Sequence, residues 1–153
     1  MLAAVVLALV FGGYRLLTDG RFRGTRDLKT PAAAAPAVEP GDEGRPVETP
    51  DLSTWAALGD AVAQVAPGER ATLVQFSSAF CAPCRATRRI LTDVAGAVPG
   101  VVHIEVDAEH HLETVRRLGI LRTPTTLVLD AAGREIARAA GAPRKEQVLS
   151  ALP

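Results

Sequence analysis

The chain has 153 residues, and its 17 basic and 17 acidic side chains leave it formally neutral, which gives no electrostatic ground for nucleic acid as a partner. No internal repeat is visible. The stretch from 51 to 153, about a hundred residues, is long enough for one independent core.

Met1 to Tyr14 carries no charged side chain, and Leu16 and Leu17 extend the apolar run past Arg15 to some 17 positions. A helix needs about 20 residues, with a range of about 17–25, to cross a hydrocarbon core, so residues 1–17 are expected to form a short transmembrane anchor in which Arg15 snorkels. A cleaved signal peptide is the rival reading. It lacks a basic n-region and a small-x-small cleavage site. A start upstream of Met1 would lengthen the span. Arg15, Arg21, Arg23, Arg26 and Lys29 follow the run, and basic residues prefer the cytoplasmic side, so the following domain is expected to face the cytoplasm on a single-pass membrane protein. The extracytoplasmic alternative stands beside it, because disulfide chemistry persists outside the membrane. Residues 18–50 read as a basic juxtamembrane segment and a Pro/Ala-rich linker, with Pro31, Pro36, Pro40, Pro46 and Pro50 among small and polar residues.

The remaining elements follow in order. Ser53 to Val65 reads as an amphipathic helix capped by Ser53 or Thr54, with Trp55, Leu58, Val62 and Val65 on one stripe, broken by Pro67-Gly68. Ala71 to Phe76 is a strand, Arg85 to Ala97 a helix with Ile90, Leu91, Val94 and Val98 inward, and Val101 to Val106 a second strand joined by a parallel crossover. Leu112 to Leu118 is a short helix ending at Gly119 in a left-handed cap. Thr125 to Leu129 and Glu135 to Ala139 form a hairpin across Asp130-Ala131-Ala132-Gly133. Pro143 to Leu152 closes the chain as a helix with Val148 and Leu149 inward. This order is that of an α/β sandwich: a mixed sheet between helical layers.

Both cysteines of the chain lie in Cys81-Ala82-Pro83-Cys84, between the first strand and the helix that follows it. A structural metal site would want four ligands; no second cysteine pair exists, and the adjacent His110 and His111 lack zinc-finger spacing, so no metal is expected. A disulfide kept only for stability would close too small a loop to restrict the unfolded chain much. Redox chemistry remains. The free N–H groups and dipole at a helix N-terminus stabilise a thiolate, which makes Cys81 the expected nucleophile and Cys84, one turn deeper, the resolving thiol. Pro83 suits the first turn, where its missing N–H costs nothing, and Arg85 adds positive charge.

The segment Leu73-Val74-Gln75-Phe76-Ser77-Ser78-Ala79-Phe80-Cys81-Ala82-Pro83-Cys84-Arg85 resembles the strand and active-site loop of the thioredoxin family, and Leu118 to Leu127, with Thr123-Pro124, is similar to that family's second motif. The resemblance covers about residues 51–153 and implies a thioredoxin-like three-layer α/β/α sandwich. It also implies a cis Thr123–Pro124 bond, with Thr123 and Pro124 binding the extended chain of a client. Ala82, Pro83, Phe80 and Gln75 stand as supporting residues. Phe80 takes the place of the family tryptophan, Ser77 that of another aromatic, and Arg89 that of a helix-kinking proline. Gln75 occupies the position of a titratable aspartate in many thioredoxins, so proton transfer needs water or another group, and His103 is a candidate.

The function these features imply is a membrane-tethered thiol–disulfide oxidoreductase that reduces client disulfides and needs no cofactor beyond its own Cys81–Cys84 disulfide. It would be recharged by a reductase or a membrane electron donor and would work as a monomer. A redox-silent module that binds partners through the Pro124 surface is the alternative from another class.

Overall fold

The computed structural model describes residues 2–18, 20–24 and 53–153. Most of the stretch read as a linker, 25–50, lies outside the described residues. Helix α1, Leu2–Thr18, covers the apolar N-terminal run. At 1.5 Å per residue it is about 25 Å long, short of a hydrocarbon core of about 30 Å. Among the described residues no helix is long and apolar enough to cross a membrane.

The sheet has five strands, in the order β1 (Phe22–Gly24), β5 (Glu135–Ala140), β4 (Thr125–Asp130), β2 (Ala71–Ser77) and β3 (Val101–Asp107). Only β2 and β3 run parallel, joined through helix α3 (Ala82–Ala97); the other neighbours are antiparallel. Every residue of β2 is buried, as a central strand with both faces covered requires. Val74 and Phe76 point to one face, where they pack with Ile104, Val106, Leu127 and Leu129 against α2 (Thr54–Leu58), the 3-10 turn Gly59–Val62 and α4 (Leu112–Arg117). Leu73 points to the other face, with Leu91 and Val94 of α3 and Val148 of α5 (Lys145–Ala151). Gln75 shares its parity and lies under the first turn of α3.

Several expectations change at their edges. The first domain helix keeps its Ser53 cap, whose Oγ accepts from the Ala56 N–H, but it tightens into a 3-10 turn from Gly59 and ends at Val62; Val65 is 42% exposed. Leu149 also faces outward, while Val148 is fully buried. Helix α3 starts three residues earlier than periodicity suggests, because Cys81 is its cap. Residues 22–24 lie inside the segment read as juxtamembrane, and the structure adds them to the sheet. Phe22 pairs with Ala139 and Gly24 with Ala137, covering an edge that would otherwise stay unpaired. The lead-in is tight: the Gly20 N–H donates to the Ala140 carbonyl at 3.1 Å, and Gly20 has a φ of +73°, open to glycine without penalty.

The loop that brings Thr123-Pro124 to the sheet starts from a built helix end. Gly119, with φ +62°, donates to the Arg116 carbonyl and Ile120 to that of Val115, the paired bonds of a Schellman cap. The Thr123–Pro124 bond is cis. The Gly141 N–H donates to the Pro124 carbonyl, so that loop and the end of β5 are tied together.

Candidate active site

The site forms where β2 stops. A strand that ends beside the N-terminus of the following helix leaves its connecting loop at one end of the sheet, and here that loop is Ser78 to Cys81. Cys81 leaves the extended conformation only after φ −96° and ψ 96°, and its Sγ accepts the Cys84 N–H at 3.1 Å, satisfying one of the donors left free in a first turn. Its carbonyl accepts from Cys84 and Arg85. Ala82 and Pro83 occupy the first two helical positions, where the proline ring deprives the helix of no hydrogen bond.

The two sulfurs are joined, with the Cα atoms 5.2 Å apart. Their environments differ. Cys81 is partly exposed, whereas Cys84 is 2% exposed beneath the helix. An incoming sulfur can therefore reach Cys81 first, and the helix N-terminus favours negative charge on that same atom.

Gln75 is fully buried. Its Nε2 donates to the Cys84 carbonyl at 2.9 Å and to Ser77 Oγ at 2.8 Å. Since an amide N–H can only donate, Ser77 must accept there, and its own hydrogen goes to Glu105 Oε1 at 2.6 Å. Arg88 of α3 holds the other carboxylate oxygen, Nη1 to Oε2, at 3.0 Å. A cavity of about 370 Å³ opens beside this chain of bonds, lined by both cysteines together with Ser77, Arg88 and Glu105.

His103 does not take part. It pairs in register with Leu73, two residues back along the sheet, and its Nδ1 meets Thr92 Oγ1 at 3.2 Å, two turns down α3 from Cys84. Burial holds its imidazole below the ordinary value of 6.5; the Glu105 carboxylate pulls it up and Arg88 pushes it down.

On the other side, Ser78 Oγ lies 2.9 Å from Thr123 Oγ1, linking the dithiol loop to the cis-proline loop. Pro124 is buried, Thr123 half-buried. Two large apolar side chains near these loops in sequence have no cover: Phe80, next to Cys81, is fully exposed, and Leu121, two residues before Thr123, is 96% exposed.

Cys81, Cys84, Ala82, Pro83, Phe80, Gln75, Thr123 and Pro124 thus gather at one end of the sheet, as the two motifs imply. Ser78, Arg88 and Glu105 also belong to the site, although sequence reasoning assigns them no role there, and Ser77, noted only as a replacement for an aromatic, joins them through its hydrogen bonds. One signal was available: Glu105 is the single carboxylate in the middle of β3, between Ile104 and Val106, and parallel pairing puts it beside Gln75.

A family model described as Thioredoxin matches residues 57–153. Thioredoxin H2-2 of Oryza sativa subsp. japonica is 28% identical over 111 residues, covering 72% of this chain and 81% of that protein. The thioredoxin of Alicyclobacillus acidocaldarius subsp. acidocaldarius is 32% identical over 90 residues, covering 58% of this chain and 85% of that protein. Among solved structures, Fasciola hepatica thioredoxin gives a TM-score of 0.48 at 24% identity, over 54% of this chain and 78% of its own.

Proposed function

We propose, from the premise that the chain belongs to the thioredoxin family and is a protein-disulfide oxidoreductase, that it reduces the disulfides of client proteins while attached to a membrane through residues 2–18. The observation that carries the redox role is the asymmetry of the pair: Cys81 partly exposed at a helix cap, Cys84 buried one turn in.

In the reduced protein the Cys81 thiolate attacks one sulfur of a client disulfide. A mixed disulfide forms, and the other client sulfur leaves as a thiolate that takes a proton. Cys84 then loses its proton and attacks Cys81 Sγ. The bond between Cys81 and the client breaks, the Cys81–Cys84 bond forms, and two electrons have passed to the client. Thr123 and Pro124 hold the client's extended backbone beside the sulfurs, and Phe80 and Leu121 offer apolar contact. A reductase or a membrane electron donor restores the dithiol, and the protein acts as a monomer.

Attachment rests on the apolar composition of α1. The deficit of about 5 Å against the hydrocarbon core is within what local thinning of the bilayer accommodates. The basic residues after α1 favour a cytoplasmic domain.

Three experiments test this reading. Cys84→Ser should accumulate a mixed disulfide with client protein, which Cys81→Ser should not form; trapping through neither residue would sink the exchange mechanism. A reduction potential near −270 mV would support a reductant, while one near −120 mV would make the protein an oxidant and reverse the preferred orientation. Membrane fractionation of the full chain, with protease access from each side, tests attachment and topology separately.

A further inference from the structure

The Cys84 thiol must lose a proton before it can resolve a mixed disulfide, and the fully buried residue nearest it on β2, Gln75, cannot accept one. We infer that Glu105, one strand over, is the proton acceptor for Cys84, reached through a water in the cavity the two residues share. The inference rests on the dithiol exchange described above.

Three features support it. The Glu105 carboxylate lines the same cavity as both sulfurs. The residue is exposed, but its carboxylate is held from two sides, by the Ser77 hydroxyl on Oε1 and by the Arg88 guanidinium on Oε2, which turns it toward the cavity. The Ser77 hydroxyl is itself committed, because the Gln75 amide donates to it and leaves its hydrogen only one direction. Gln75 thus acts as a positioning residue for the carboxylate as well as a tie to the Cys84 carbonyl.

The charged and titratable groups around Glu105 are Arg88 and Arg85 on α3, Asp107 two residues on along β3, and the half-buried imidazole of His103 two residues back. Arg88 is the one in contact, and it offsets the negative charge that Asp107 adds.

In the step itself, the Cys84 proton passes to the water as the water's proton passes to Glu105. The Cys84 thiolate attacks Cys81 Sγ, the Cys81–client bond breaks, and the client sulfur leaves as a thiolate. Glu105 then returns its proton through solvent. Mass and charge balance, and no reagent beyond the dithiol and the client disulfide is needed.

The test is a two-phase reaction of the reduced full-length protein with one equivalent of 5,5′-dithiobis(2-nitrobenzoate). The first release of thionitrobenzoate reports attack by Cys81; the second reports attack by Cys84 on the mixed disulfide. With a base in place to take the Cys84 proton, the wild-type second phase should be nearly flat across pH 6–8. In Glu105→Gln it should fall about 100-fold at pH 6, the low end of what a positioned acid–base group contributes, and rise about tenfold per pH unit as only the thiol's own ionisation remains. The first phase should stay within about twofold. Glu105→Asp should recover part of the flat profile, and an unchanged melting temperature of both variants would exclude a folding cause. An unchanged second phase, or equal slowing of both phases, would overturn the assignment. Absence of the first phase in the wild type would instead strike at the dithiol mechanism.

Discussion

Gly20→Ala should strip the first strand from the sheet, although the substitution adds one methyl group. Gly20 has φ +73°, where a residue with a Cβ pays about 1–2 kcal/mol. The added carbon would sit 2.1 Å from the Ala142 carbonyl oxygen and 2.5 Å from its carbon. Those are backbone atoms, not the end of a flexible side chain, so no rotamer change relieves the overlap. The turn must open, and the three β1–β5 pairs with the packing of Phe22 against the α3/α5 face go with it. Because detachment caps the penalty, the expected loss is about 1–2 kcal/mol, which for a domain of about a hundred residues lowers the melting temperature by about 5–15 °C. Thermal unfolding of the full-length protein in mild detergent reads the stability, and amide exchange over residues 137–140 reads the exposed edge of β5. Gly96→Ala is the control: it lies in α3 with no atom within 4 Å of the new carbon, and should be neutral or slightly stabilising. Unchanged melting and exchange in Gly20→Ala would refute the pairing of residues 22–24 with β5.

Leu91→Ala removes a fully buried side chain between α3 and the sheet and should cost about 2–5 kcal/mol in urea unfolding. Phe80→Ala and Leu121→Ala should each raise the KM for a protein client several-fold at unchanged melting temperature, because neither side chain is packed in the free protein. A parallel loss of stability would contradict that. Stability should also fall on acidification through His103. Its folded pKa lies below the unfolded value of about 6.5, so its contribution is full above that pH and is lost as pH falls. The protonated ring must carry an N–H on Nε2, which is buried without a partner. Unfolding at pH 7.5 and pH 5 should show the difference, His103→Gln should reduce it, and an imidazole titrating at or above 6.5 by NMR would remove the basis.

What was legible in the sequence follows the strength of local signals. The β4–β5 hairpin was, because Asp130 and Gly133 have one good use together: the Gly133 N–H closes on the Asp130 carbonyl, Asp130 Oδ1 collects the Ala132 and Arg134 N–H groups, and Gly133 takes φ +76°. The start of α3 was blurred for periodicity alone, since the apolar stripe begins only after Arg85, while Pro83 already pointed to a first turn behind the Cys81 cap. The strand Phe22–Gly24 carries no period of its own in three residues among arginines, and it exists only because β5 offers a partner. The dithiol and the cis-proline were visible as motifs. The Gln75–Ser77–Glu105–Arg88 chain was not: it draws on two strands and a helix, and its spacing becomes meaningful only through the parallel register of β2 with β3.

Gly20, in the turn before β1, bonds to Ala140, and Ala140, Thr125 and Phe76 succeed one another across β5, β4 and β2, so the N-terminal segment joins the domain at the end of the sheet that carries the dithiol. Asp19, Gly20 and Arg21 alone separate the end of α1 from the start of β1, a leash of about 14 Å at full extension. The proline-rich stretch comes after β1 and leaves that leash no longer. A surface that captured α1 would therefore hold the redox end of the molecule close to its own plane, and would favour disulfides near that plane over those tens of ångströms away.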